Sequence, residues 1–114
     1  MSIGHCGRIE LFAEDELTAI YRYSGENWND EGETRGDINA LDGEIFINKH
    51  SLELDLYEAL KRGDIEISKP CTSEYSRGLR LAPGSRYFAL KLLCKVFAQY
   101  RKDGKLPEKC VFVV

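Results

Sequence analysis

The run Ser85-Arg86-Tyr87-Phe88-Ala89-Leu90-Lys91-Leu92-Leu93-Cys94-Lys95-Val96-Phe97-Ala98-Gln99-Tyr100-Arg101-Lys102-Asp103 decides how the rest of the chain is read. It holds no glycine or proline, Ser85 suits an N-cap, and Gly104 and Pro107 follow as stop signals. Tyr87, Phe88, Leu90, Leu92, Leu93, Val96, Phe97 and Tyr100 cover most of a helical circumference, while Lys91, Lys95 and Lys102 fall on the remaining stripe. The spacing predicts one long helix covered on two or more sides, around which shorter elements assemble.

Outward from it, Cys110-Val111-Phe112-Val113-Val114 reads as an apolar strand that inserts beside Ile45 to Ile47 or beside an N-terminal hairpin. That hairpin is predicted from alternation: Ile9, Leu11 and Ala13 share a face opposite Arg8, Glu10 and Phe12. Leu17, Ala19, Tyr21 and Tyr23 continue the pattern beyond the polar tip Glu14-Asp15-Glu16, which lacks the Asn-Gly or Asp-Gly of the tightest turns. Glu44 to Asn48 is β-branched and aromatic enough for a central strand. A short helix is placed over 54–62, because Leu56, Ala59 and Leu60 share a helical face and Lys61, Arg62 and Gly63 suit its end. Ile65-Glu66-Ile67 follows as a strand stopped by Pro70, and 68–84 is a polar connection. The expected architecture is one α+β domain over 1–114, with a mainly antiparallel sheet of four to five strands packed on the C-terminal helix and one short helix.

The chain has 114 residues, 43% of them hydrophobic, which suffices for a core and argues against disorder throughout. Its net charge of -3 is unevenly divided. Residues 1–66 carry 16 acidic against 6 basic side chains, and 67–114 carry 3 acidic against 10 basic. The net negative charge argues against a protein that coats nucleic acid or an anionic membrane by bulk charge. The amino terminus lacks the basic and apolar regions of a secretion signal, and Leu92 to Cys94 and Val111 to Val114 fall far short of the ~20 apolar residues of a membrane span. A cytoplasmic protein without membrane segments is expected. Cys6, Cys71, Cys94 and Cys110 lack Cys-x-x-Cys spacing and read as reduced thiols, Cys94 and Cys110 as small core side chains.

No phosphate-binding glycine loop, Gly-x-Ser-x-Gly or EF-hand order occurs, and no cofactor or metal is expected. An enzyme would have to use His5 and His50, the two histidines, as acid and base of a metal-independent nuclease. A nucleic-acid-binding module would use Lys69, Arg77, Arg80, Arg86, Lys91 and Lys95, with Tyr75 and Tyr87 interleaved.

The stronger functional signal is the stretch Ser24 to Gly43, with four glycines and no helical or strand periodicity, which reads as a long acidic loop. Glu26, Trp28, Asp30, Glu31, Glu33 and Asp37 are its candidate partner-binding residues. Trp28, the single tryptophan, either anchors the loop on the body or awaits a partner. Aromatic rings among carboxylates suit the binding of a basic protein surface, the acids steering encounter and the rings supplying buried contact. In its compact α+β size and the acidic aromatic run Tyr21 to Asp42, the chain resembles the immunity proteins of bacterial polymorphic toxin and contact-dependent growth inhibition systems. The resemblance is one of general character and transfers no residue's role. It implies a non-enzymatic inhibitor of a cognate toxin, with a basic toxin domain, such as a nuclease, as partner.

Overall fold

In the computed structural model, which describes residues 4–76 and 86–113, five strands form one antiparallel sheet. They are β1 His5–Glu14, β2 Thr18–Asn27, β3 Gly43–Asn48, β4 Ile65–Lys69 and β5 Lys109–Val113, in the order β4-β3-β2-β1-β5. A short helix, α1 (Leu56–Arg62), lies between β3 and β4, and a long one, α2 (Tyr87–Asp103), precedes β5. The α+β class is as read from the sequence. The C-terminal strand takes the hairpin side, pairing Cys6 to Glu10 of β1 with Val113 to Lys109.

The hairpin turns on a device that residue type alone did not reveal. Asp15 Oδ1 accepts from the backbone N–H groups of Leu17 (2.9 Å) and Thr18 (2.8 Å) and from the Thr18 hydroxyl (3.0 Å), an Asx turn in place of Asn-Gly. Those donors hold the Asp15 carboxyl below its ordinary range. A bulge then breaks the predicted alternation: Leu11 pairs with Tyr21 but Ala13 pairs with Ile20, so Ala13 joins the face opposite Ile9 and Leu11. Phe12, left over at the bulge, lies exposed with the Arg22 guanidinium 3.6 Å above its ring.

One sheet face carries Ile9, Ala19, Tyr21, Tyr23, Ile45, Ile47, Ile65 and Phe112, all buried in one core with α2. Gly7 and Gly25 pair across β1 and β2 on this face. A Cβ at Gly7 would lie 2.4 Å from the Phe112 ring, and one at Gly25 2.3 Å from Phe88, so glycine is needed to let both rings approach the sheet.

α2 buries Phe88, Ala89, Leu92, Leu93, Val96 and Phe97 along one stripe, while Lys91, Cys94, Lys95, Ala98, Arg101 and Lys102 are exposed. It is therefore covered on one side, not on two or more. Tyr87, Leu90 and Tyr100 sit half-buried at the borders of the stripe, which is why the apolar arc looked wider in the sequence. Cys94, expected in the core, is exposed for the same reason, whereas Cys110 is partly buried against the core. α1 ends at Gly63 and α2 at Gly104, both left-handed as their positions after basic last turns predicted. Ser85, the expected N-cap of α2, lies outside the described residues. Among the described residues no helix is long and apolar enough to cross a membrane.

Candidate functional site

β2 continues to Asn27, so the acidic loop spans 28–42 and not 24–43. Ser24, Gly25 and Glu26 are strand residues opposite Arg8, Gly7 and Cys6. The loop contains one turn of 3-10 helix, Glu33–Arg35, and folds back onto the sheet face that α2 leaves uncovered. There the Ser24 hydroxyl donates to the Ile38 carbonyl and Arg8 Nη1 donates to Asn39 Oδ1 at 2.9 Å.

A buried polar network holds the loop from its other side. Asp30, only 6% exposed, accepts from the Ser76 hydroxyl (2.7 Å), the Thr34 hydroxyl and the Gly32 N–H (2.7 Å). Asn27 Nδ2 donates to Ser76 Oγ at 3.0 Å. Gly36, with φ +81°, passes so close to the chain that a Cβ there would lie 2.3 Å from the Gly25 carbonyl oxygen. Asp42 accepts from the Thr72 N–H (3.1 Å) and hydroxyl, closing the loop onto the turn Thr72–Tyr75.

The six predicted partner-binding residues thus divide. Asp30, expected on the contact surface, is buried, and its carboxylate accepts hydroxyl and amide donors from its own loop and from Ser76. Glu26 is half-buried and also engaged, taking the Trp28 indole N–H (2.6 Å), the Ile38 N–H (3.3 Å) and the Arg35 guanidinium (3.6 Å). Trp28 is tied to the body and still partly exposed. Its backbone N–H bonds the Gly4 carbonyl at 3.0 Å and its ring is tied to Glu26, yet 37% of it is exposed. Glu31, Glu33 and Asp37 are exposed, so the loop presents three carboxylates beside one half-exposed indole.

The residues needed for the enzymatic alternative are separated. His5 pairs with Asn27 at one end of β2, whereas Asn48, which precedes the turn bearing His50, pairs with Thr18 at the other. Nine residues of strand put them ~30 Å apart. His5 bonds the Tyr87 hydroxyl, and His50 Nε2 lies 3.1 Å from Asp64 Oδ2. Burial, aided by the Lys91 charge, holds His5 below its usual value, so its neutral form dominates at pH 7. Cys71 is buried with its thiol pushed up to about 12 by desolvation, which denies it a thiolate. Among the described residues no group of three or more His, Cys, Asp or Glu side chains is placed to hold a metal ion.

Sequence reasoning missed Glu74. Fully buried, it accepts from the Tyr23 hydroxyl (2.9 Å) and from Phe88 N–H (2.9 Å) and Ala89 N–H (3.1 Å), satisfying two orphan donors of α2 from a distant turn. Burial raises its carboxyl above the usual range, opposed by those hydrogen bonds. A signal was present: Glu74 is the lone acid between Glu66 and Asp103.

Comparison with protein-family models, with curated proteins and with solved structures returned no match.

Proposed function

We propose that the chain is a non-enzymatic protein-binding inhibitor whose braced acidic loop docks on a basic partner. Its place in the cell, on this reading, is that of a cytoplasmic immunity protein neutralising a toxin domain of nuclease type. The observation that carries the reading is the division of labour within the loop. Asp30, Glu26 and Asp42 hold its shape, and Glu31, Glu33, Asp37 and the exposed part of Trp28 are left facing outward. A pre-shaped acidic surface loses little conformational entropy on docking, and its charges accelerate encounter with a basic protein. A nuclease suits it because an active site that attracts phosphates also attracts carboxylates.

Capture from a lysate of the source cell, using the wild type and the Glu31→Lys, Glu33→Lys, Asp37→Lys triple variant in parallel, tests this. A basic protein retained by the wild type and lost from the variant, with nuclease activity suppressed on adding the wild type back, is the expected result. Equal retention by both proteins would remove the acidic loop from the interface.

A further inference from the structure

A second surface lies at the sheet edge formed by β5. β5 is the edge strand beyond β1, and its outward residues Val111 and Val113 are 46% and 60% exposed. Beside it runs a groove of about 450 Å³ lined by Lys95, Ala98, Gln99 and Lys102 of α2 and by Lys109, Cys110 and Val111 of β5. Lys91 continues the row, its ammonium 5.7 Å from the Phe112 ring centroid. Between described residues, none of Lys91, Lys95, Lys102 and Lys109 has a carboxylate within ion-pair distance. The carboxylate of α2 nearest this row in sequence, Asp103, is engaged by Gln99.

We propose that this edge binds an extended acidic segment of a partner protein, added as a sixth strand alongside β5. An edge strand offers unpaired backbone groups to such a segment, and pockets for alternate side chains set its sequence. Side chains opposite Cys110 and Phe112 point toward α2, and those opposite Val111 and Val113 point to the other sheet face, on which the acidic loop packs over Arg8 and Ser24. Alternate positions of an added strand are ~6.8 Å apart, and Lys91 and Lys95, four residues apart on α2, are ~6 Å apart along its axis. Lys91 lies at the level of Phe112, and the Lys95 charge acts on Cys110. Two carboxylates at i and i+2 of the added strand therefore face two lysines, while apolar residues between them cover the valines. The recognised pattern is Glu-x-Glu-x with x apolar. A nucleic-acid strand fits less well, because no residue lining the groove is aromatic and, of the rings beside Lys91, Phe112 is buried and Tyr87 is half-buried and bonded to His5, leaving no row of rings on which successive bases could stack. The wider basic set read from the sequence is also dispersed: Lys69 stands on β4 at the opposite edge, and Arg77 and Arg80 lie outside the described residues.

Fluorescence anisotropy with a labelled heptapeptide alternating Glu and Val, a scrambled peptide of the same composition, and an oligothymidylate of equal charge tests the proposal. Tighter binding of the alternating peptide by tenfold or more over the other two, falling at least tenfold in Lys91→Glu, Lys95→Glu, is expected. New amide-exchange protection in β5 on adding the peptide gives a second readout that does not depend on the variant. No binding, equal binding of the scrambled peptide, preference for the oligonucleotide, or unchanged β5 protection each overturns it. The acidic loop takes no part in this experiment, so its outcome is independent of the proposal for that loop.

Discussion

The acidic loop and the lysine-bearing side of α2 treat their charges in opposite ways. In the loop, carboxylates are spent on structure before any are presented: Asp30, Glu26 and Asp42 receive donors from their own surroundings. On α2 and β5, Lys95, Lys102 and Lys109 line a groove with no carboxylate at ion-pair distance among the described residues. A lysine carries a long flexible stem and a strongly hydrated head, so it can stay in water at little cost. A loop without regular ladders has many backbone amides to satisfy, and short acidic side chains are well suited to the task. Every ion pair between described residues joins two members of the first sixty-six, so the acidic and basic halves do not neutralise one another across that part of the molecule.

The comparison can be broken most forcefully at Glu74, the acid that serves the basic half structurally. Glu74→Ala leaves two helical N–H groups and the Tyr23 hydroxyl without their partner, and is expected to cost on the order of 3 kcal/mol in urea denaturation. A loss below about 1 kcal/mol would show that water replaces the carboxylate. Next in size is Asp30→Ala, expected to cost about 2 kcal/mol and to make the 28–42 amides exchange faster. Glu33→Ala, on the same loop but exposed, should stay within about 0.5 kcal/mol. Similar losses in both variants would erase the distinction between structural and presented acids.

A smaller effect is expected from pH. His5 has its folded pKa below 6.5, so the unfolded chain binds the proton more readily and its contribution to stability falls as pH drops from 6.5 toward the folded value. Above 6.5 the contribution is fully present. The wild-type melting temperature should decline across that window, and His5→Gln should flatten the decline. An unchanged pH profile would place the titration elsewhere. Least of all should Cys94→Ser matter, shifting stability by no more than about 0.5 kcal/mol because the thiol is exposed. A larger loss would restore Cys94 to the core.

The elements were legible where one physical cue acts locally. Gly63 and Gly104 end their helices because only glycine enters the left-handed region freely, and Pro70 stops β4 because it cannot continue the ladder. Ala19, Tyr21 and Tyr23 alternate into the core as a half-buried strand does. The candidate site was legible as a place and not as an arrangement. Exposure of Glu31, Glu33 and Asp37 fits a polar loop, but nothing in residue type separates them from Asp30, whose burial depends on Ser76 arriving from another turn. The bulge at Phe12 was hidden similarly, since one skipped pairing reverses every later side chain without altering the alternation itself.

By itself, then, the sequence determined the class of fold, the periodicity of each element and the concentration of acids in one loop and of lysines on one helix. These follow from backbone geometry and from side chains that are neighbours along the chain. Tertiary structure alone decided which acids are buried, that His5 and His50 lie at opposite ends of a strand, and that Glu74 caps a helix beginning thirteen residues later. Those depend on which donors arrive from distant segments, and a buried carboxylate is stable only where such donors converge.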